Sequence, residues 1–248
     1  QDIIPMKKLP HFTAAFLALT VLSPSQAEET FVAKAITEEG VFSSGIEGPA
    51  CDKAGNLYAV NINDRGTIGI VEPGKPAKLW VTLPEGSVGN GIRFNRAGEM
   101  FVADYKGHNI LKIDPKTQAI TVHAHEPTMS QPNDIAIGPD DYLYASDPAW
   151  GEKTGQIWLI SPEGKVTNLA KDIGTTNGIE VSPDGKKLYA GESVQRKIWA
   201  YDIRDDHTLS NKKLLIEFPD HNLDGIRCDV DGNLYVTRHG AGTVLKLS

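Results

Sequence analysis

Five side chains that carry oxygen atoms recur along the 248-residue chain at a nearly constant interval. They are Glu47, Asn90, Asn133, Asn177 and Asp224, with successive spacings of 43, 43, 44 and 47 residues. Carboxylate and amide oxygens are the ligands that hard divalent cations prefer, and two carboxylates among them balance the charge of Ca²⁺. If the fold brings the five together, the pattern predicts a cation site, with Ca²⁺ favoured and Zn²⁺, Mg²⁺ or Mn²⁺ as alternatives.

Each of these residues opens a repeat with the same internal order of elements. A short strand leads to a turn that ends on Gly or Asp eight residues after the opening residue. A second strand rich in aromatic and β-branched residues follows, such as Leu57–Val60, and then two more, such as Ile110–Ile113 and Lys213–Phe218. Four strands at this period predict the blade of a β-propeller, so the predicted fold class is all-β. A single β-sandwich is the alternative, but it would not impose one spacing five times.

The first strand of a propeller blade lines the central channel, so the five opening residues, here called the axial ring, should meet at one mouth. A second polar position lies 14 or 15 residues further along each repeat. It is occupied by Asn61, Asp104, Asp147, Glu192 and Arg238. We expect substrate contacts from Asn90 and Asn133 of the ring and from Asp147 and Glu192 of the second position. Ordinary strand-end acids and turn-forming Asn-Gly pairs are the alternative interpretation.

The N-terminus predicts export. Residues 6–27 contain Met6, two lysines, an apolar run of 11 residues and small residues up to Ala27, which are the features of a secretory signal. The run is too short for a membrane anchor, which needs about 20 residues. We therefore expect residues 1–27 to be a leader and cleavable signal peptide, and the remaining protein to be periplasmic or secreted, with no membrane segment.

Charge and cysteine content exclude other classes. The chain has 25 Lys and Arg against 32 Asp and Glu, a net charge of −7, and no long basic run. Nucleic-acid binding is therefore not expected. Cys51 and Cys228 occupy the same phase of different repeats, so they should lie on separate strands, and we predict no disulfide between them.

Three motifs carry a resemblance to a known family. They are Gln131-Pro-Asn-Asp, Asn177-Gly-Ile-Glu-Val-Ser-Pro-Asp-Gly-Lys-Lys-Leu-Tyr and Asp224-Gly-Ile-Arg-Cys-Asp-Val-Asp-Gly-Asn-Leu-Tyr. Together with Glu47-Gly-Pro, they resemble the senescence marker protein (regucalcin) and gluconolactonase family from about residue 35 to residue 248. The segment 177–189 also resembles, more distantly, the strictosidine synthase-like and paraoxonase-like propellers.

The resemblance implies a six-bladed propeller that holds a divalent metal and hydrolyses sugar lactones or other lactones. It places the metal ligands at Glu47, Asn177 and Asp224, and a substrate-binding Asn at Asn133. The family's sugar-binding Arg is Gln131 here, so an aldonolactone need not be the substrate.

A six-bladed propeller is longer than this chain. Five repeats nearly fill residues 28–248, which we take as one propeller domain, and the fifth repeat reaches Ser248 before its fourth strand. Residues 28–45 fit an outer strand of the last blade. We therefore expect a C-terminally incomplete six-bladed propeller, with a five-bladed form as the alternative.

The predicted function is an exported, metal-dependent lactonase that acts on a small-molecule lactone. Asp224 is the predicted general base for attack of water, with His221 and His239 as alternatives. No Gly-x-Ser-x-Gly motif is present, so a serine acyl-enzyme is not expected. The alternative from another class is a non-catalytic, metal-containing propeller that binds a ligand or a protein. The oligomeric state is left open.

Overall fold

Nineteen β-strands and the turns between them make up the secondary structure of residues 33–150 and 154–248, which the computed structural model describes. Ile36–Ser248 form one compact unit. Among the described residues, no helix is long and apolar enough to cross a membrane. The predicted signal peptide lies outside them.

The strands form five antiparallel sheets in chain order. Blade 1 contains β1 (Ala50–Cys51), β2 (Leu57–Val60), β3 (Thr67–Val71) and β4 (Lys78–Thr82). Blade 2 contains β5 (Gly89–Phe94), β6 (Met100–Asp104), β7 (Asn109–Ile113) and β8 (Ile120–His125). Blade 3 contains β9 (Ile135–Ile137), β10 (Leu143–Asp147), β11 (Gly155–Ile160) and β12 (Val166–Ile173). Blade 4 contains β13 (Thr176–Val181), β14 (Lys187–Glu192), β15 (Lys197–Ile203) and β16 (Leu209–Glu217). Blade 5 contains β17 (Asn222–Cys228), β18 (Leu234–His239) and β19 (Thr243–Leu247).

Every strand pairs with its neighbour in sequence, so each blade is a simple meander. The predicted all-β propeller is confirmed, with four blades of four strands and one of three among the described residues. The sixth blade implied by the resemblance stays a prediction.

The turn inside each blade follows from local hydrogen-bonding chemistry. In blade 1, the Asp52 carboxylate accepts hydrogen bonds from the backbone N–H and the side chain of Asn56, and from the hydroxyl of Tyr58. Asp229 makes the same set of bonds in blade 5. The predicted turn residues all adopt positive φ, a conformation that Gly and Asp tolerate. They are Gly55, Gly98, Asp141, Gly185 and Gly232, with φ between 67° and 88°.

The hydrophobic core is divided into four layers, each lying between two successive blades. Val60 of blade 1 packs with Ile92 of blade 2, and the blade 4–5 layer contains Ile198 and Ile226. The innermost strands contact one another in the order β1, β5, β9, β13 and β17. A blade is therefore stable only against its neighbours, because a single sheet cannot bury both of its apolar faces.

Bulges turn the axial ring residues toward the channel. In β13, Thr176 pairs with Glu192 and Ile179 pairs with Ala190, so one strand has an extra residue at Asn177–Gly178. Strands β5 and β17 have the same irregularity at Asn90–Gly91 and Asp224–Gly225. A bulge re-aims a side chain and interrupts the alternation of faces. It therefore lets the ring residue and the residue three places later both face the channel.

The predicted outer strand of the last blade, over residues 28–45, is not formed by the described part of that segment, residues 33–45. Residues 28–32 lie outside the described part, and residues 33–45 contain no strand. The segment instead contacts blade 1, because Phe42 forms an isolated antiparallel bridge with Ile62 and Ser43 N–H donates to Asn61 O at 2.9 Å.

Two bulge glycines provide a matched test of blade packing. A Cβ atom at Gly178 would lie 2.3 Å from the backbone oxygen of Asp224, whereas a Cβ at Gly225 would have nothing within 4 Å. We expect Gly178→Ala to lower the free energy of unfolding by about 2–3 kcal/mol, because blade 5 must move away. Gly225→Ala is the control and should change it by less than about 1 kcal/mol. Urea denaturation measures both, and equal losses would contradict this packing.

Candidate functional site

A cavity of about 330 Å³ opens at the mouth of the channel, and all five residues of the axial ring line it. The convergence predicted from the repeat is therefore present in the structure. The cavity also extends between blade 1 and blade 5, where Ile46, Pro49, Tyr235 and Val244 contribute apolar wall.

The two acids of the ring are partly buried and have no cationic partner among the described residues. Burial, followed by the charges of Asp224 and Asp134, raises the pKa of Glu47 from 4.5 to about 7. Burial also raises the pKa of Asp224, although a hydrogen bond from Asn177 Nδ2 to Asp224 Oδ1 at 3.0 Å opposes this. Neither carboxylate forms a salt bridge with any described residue. Each is therefore costly to ionise unless a cation is supplied from outside the chain.

The remaining ring residues offer free amides. Within the described residues, the side chains of Asn90 and Asn133 have no hydrogen-bond partner, and Asn177 uses only its Nδ2. A donor set of two carboxylates and three amides, with no sulfur or imidazole, fits a hard divalent cation. No group of three or more His, Cys, Asp or Glu suited to a metal occurs in the described part of the chain. The ring contributes only Glu47 and Asp224 to such a group, and its other oxygen atoms come from asparagine amides.

Asp147 does not reach the cavity, although the repeat predicts that it faces substrate. It is fully buried at the end of β10, and its carboxylate accepts hydrogen bonds from the backbone N–H groups of Ser130 and Gln131 at 2.8 and 2.9 Å. Trp158 Nε1 donates to it at 3.2 Å. The carboxylate therefore anchors the loop that leads to Asn133.

Glu192 has the same function in blade 4. Its Oε1 accepts a hydrogen bond from the backbone N–H of Gly174 at 3.1 Å, and Lys212 Nζ lies 3.7 Å from that oxygen. In blade 2, Asp104 accepts the N–H of Val88 at 3.0 Å. In blade 5 the polarity is reversed, because Arg238 donates to the carbonyl oxygen of Asp220. The second polar position thus holds the loop before each innermost strand and does not line the cavity.

The two histidines considered as general bases, His221 and His239, do not line the cavity either. The charge of His239 lowers the pKa of Asp224.

Directly beneath the ring lies a group of four charged residues, here called the axial clasp: Arg93, Asp134, Glu180 and Arg227. Arg93 Nη1 lies 3.3 Å from Asp134 Oδ1, and Arg227 Nη1 lies 2.9 Å from Asp134 Oδ2. Arg93 Nη2 lies 3.4 Å from Glu180 Oε2. Burial alone would raise the pKa of Asp134, but the charges of Arg227 and Arg93 outweigh it and hold that pKa below its usual value.

Sequence reasoning missed the clasp, although a signal for it exists. Glycine follows the ring residue in four repeats, and Asp134 takes its place in the third. Three residues after the ring position, where the other repeats have alanine, the chain has Arg93, Glu180 and Arg227. Opposite charges at matching positions of the innermost strands predict ion pairs across the channel.

The fold and site define a class: an antiparallel β-propeller with an oxygen-lined axial site above a charged channel. Residues 46–248 match the family model described as SMP-30/Gluconolactonase/LRE-like region, and the chain belongs to this family. The resemblance stated from the motifs is thereby confirmed. It is a family of gluconolactonase-like hydrolases.

Individual relatives are distant. Gluconolactonase of Zymomonas mobilis is 26% identical over 230 residues, covering 78% of this chain and 64% of its own length. Diisopropyl-fluorophosphatase of Loligo vulgaris is 28% identical over 231 residues, covering 81% and 74%. The crystal structure of regucalcin from Agrobacterium tumefaciens, described as a calcium-binding protein, superposes with a TM-score of 0.70 at 22% identity, covering 82% and 70%. That superposition shows a shared fold. The chain spans less than two thirds of the length of the Zymomonas gluconolactonase.

The pKa of Glu47 makes stability depend on pH in protein treated with a chelator. Its folded-state pKa of about 7 exceeds the value of 4.5 in the unfolded chain, so the folded state binds the proton more tightly. The resulting stabilisation is full below pH 4.5 and is lost as the pH rises through 7. It amounts to at most about 3 kcal/mol. Glu47→Gln should flatten this slope in urea titrations. Glu217→Gln, which changes an exposed glutamate, should retain it. Parallel curves for wild type and Glu47→Gln would contradict the assignment.

The clasp predicts a large effect from a small substitution. Asp134→Asn removes the negative charge between the guanidinium groups of Arg93 and Arg227, and we expect it to lower the free energy of unfolding by about 3–5 kcal/mol. Asp140→Asn, at a carboxylate whose side chain is 51% exposed beside His207, is the control and should change it by less than about 0.5 kcal/mol. Thermal and urea denaturation measure both. A loss for Asp134→Asn no larger than the control's would refute the clasp.

Proposed function

We propose that this protein is a metal-dependent lactonase that hydrolyses a small-molecule lactone by direct attack of water. The observation that carries the proposal is the pair of partly buried carboxylates, Glu47 and Asp224, which have no cationic partner among the described residues and line a cavity with three amides. Family membership supports the same reaction class.

Glu47, Asn177 and Asp224 are the residues that would hold the cation, and their oxygen atoms favour Ca²⁺, with Zn²⁺, Mg²⁺ or Mn²⁺ as alternatives. A cation bound there polarises a carbonyl oxygen and stabilises the negative charge that develops on it during hydrolysis. The regucalcin relative, described as calcium-binding, supports the choice of Ca²⁺.

The side chains of the ring divide the remaining tasks. Asn90 and Asn133 present free amide groups that can donate hydrogen bonds to oxygen atoms of the lactone and orient it. The position of Asn133 is fixed because Asp147 anchors the loop before it and Asn133 N–H donates to Ser146 O at 2.9 Å. Preorganised donors of this kind need no rearrangement as the reaction proceeds.

Asp224 is the proposed general base. Asn177 Nδ2 occupies Oδ1, and Oδ2 has no partner among the described residues, so Oδ2 is the atom that would accept the proton of the attacking water. Burial makes this carboxylate more basic than a solvent-exposed aspartate. A thiol route has no support, because neither cysteine lines the cavity and burial raises the pKa of Cys228 to about 12.

Export to the periplasm or the medium is part of the proposal and is supported by the sequence of residues 6–27. The protein would then hydrolyse its lactone substrate outside the cytoplasm.

The test is hydrolysis of a panel of γ- and δ-lactones by Ca²⁺-loaded protein, with and without EDTA. We expect turnover that EDTA abolishes, and a loss of about 10²–10⁴-fold in kcat for Asp224→Asn, because the general base is removed. Asp231→Asn changes an exposed acid of the same blade and serves as the control, with kcat within about twofold of wild type.

Two other outcomes would favour a function other than lactone hydrolysis. No turnover of any lactone by folded, Ca²⁺-loaded protein would favour the non-catalytic binding propeller. Turnover of diisopropyl fluorophosphate but of no lactone would indicate an activity like that of the Loligo relative, whose name states that substrate.

A further inference from the structure

Arg227 belongs to the axial clasp, yet it also lines the cavity of the axial ring. Its side chain is 33% exposed, whereas those of Arg93 and Asp134 are 9% and 7% exposed. It is the only Lys, Arg or His among the cavity-lining residues of the described chain. The cavity therefore has a positive group on its floor in addition to the acids at its mouth.

The donors of Arg227 can be counted one by one, since a guanidinium group has five N–H bonds. Nη1 donates to Asp134 Oδ2 at 2.9 Å and to Ile226 O at 2.6 Å. Nη2 donates to Asp134 Oδ1 at 3.4 Å. The Nε–H and the second Nη2–H have no partner among the described residues. These two bonds lie side by side on one edge of the guanidinium plane and form a complete fork for a carboxylate.

Arg93 is a natural comparison because it holds the same Asp134 carboxylate. All four of its Nη–H bonds are used, on Ile92 O, Asp134 Oδ1, Ile179 O and Glu180 Oε2. It is buried and does not line the cavity. Arg93 is therefore a structural cation, whereas Arg227 has the same structural contact and a vacant fork.

The carboxylates of the clasp leave this fork unoccupied. Asp134 is shared by two guanidinium groups, and Glu180 forms its salt bridge with Arg93, although its charge also acts on Arg227. Arg227 also follows Asp224 by three residues on the bulged strand β17, so a ligand on the ring and a group on the fork share one channel face. A small molecule can therefore reach both.

We propose that Arg227 is a specificity-determining residue whose free Nε/Nη2 fork binds a carboxylate on the substrate, so that the preferred substrates are lactones carrying an additional carboxylate group. This inference rests on the proposed lactonase function and adds the chemical class of its substrate. Neutral lactones lack the group that pairs with the fork and bind less tightly.

Matched lactones test the proposal. The probes are 5-oxotetrahydrofuran-2-carboxylate and 3-(5-oxotetrahydrofuran-2-yl)propanoate, which place the carboxylate at two distances from the reacting carbonyl, each compared with its carboxamide. We expect wild-type protein to prefer at least one carboxylate over its carboxamide by about ten- to a hundredfold in kcat/KM, mainly through KM. Arg227→Gln should reduce this ratio to about one.

Arg93→Gln is the matched control, because it disturbs the same clasp without removing the fork. It should retain the wild-type ratio of carboxylate to carboxamide, whatever it does to stability. If Arg227→Gln does not fold, Arg227→Lys keeps the charge but loses the fork and should lower the ratio by about tenfold. An equal ratio in wild type and all folded Arg227 variants, or an equal loss in Arg93→Gln, overturns the proposal.

A binding measurement separates this inference from the lactonase proposal. Tetrahydrofuran-2-carboxylate has no lactone carbonyl and cannot be hydrolysed, and calorimetry at fixed ionic strength measures its binding to Ca²⁺-loaded protein. Binding that is lost in Arg227→Gln and kept in Arg93→Gln supports the subsite even if no lactone is turned over. Lactone turnover without any carboxylate preference or binding leaves the lactonase proposal intact and overturns the subsite.

Discussion

The carboxylate of Asp134 joins four of the five blades at the channel axis. It extends from blade 3, is contacted by Arg93 of blade 2 and Arg227 of blade 5, and accepts the backbone N–H of Ile179 of blade 4 at 3.3 Å. A buried ion pair contributes little net stability, because desolvation offsets the attraction, but it strongly disfavours arrangements that separate the charges. The clasp therefore specifies how the innermost strands face one another, while the apolar layers between blades supply most of the stabilisation.

The ring and the clasp are electrostatically one unit. The charge of Asp134 raises the pKa of both Glu47 and Asp224, so the clasp adds to the cost of ionising the ring. The channel is thus layered, with unpaired negative groups at the mouth and compensated charge below. Because of this separation, the carboxylates of Glu47 and Asp224 remain available for a ligand. Those of Asp134 and Glu180 are already paired with arginine side chains.

Much of this structure is visible in the sequence because it repeats. A period of about 44 residues fixes the blade, the turn chemistry and the phase of the axial ring, since all three depend on local spacing. The role of Asp147 and Glu192 is not visible, because their partners are backbone N–H groups of loops 16 to 18 residues earlier, and a pattern of side chains does not report them. The clasp is not predicted by the repeat because its residues occupy positions where the repeats differ from one another. Asp134, for example, stands where the other four repeats have glycine. Residues 33–45 contact blade 1, and no strand periodicity in that segment indicates a partner.

The anchors at the second polar position have a consequence for how such a site diversifies. Asp104, Asp147 and Glu192 hold the mouth loops through main-chain N–H groups, which every amino acid except proline provides. Apart from Ser87, whose hydroxyl also donates to Asp104 Oδ2 at 2.8 Å, no side chain of those loops bonds to these carboxylates. The sequences of these loops can therefore change without moving the residues of the axial ring. Substrate recognition can then evolve independently of the reaction centre.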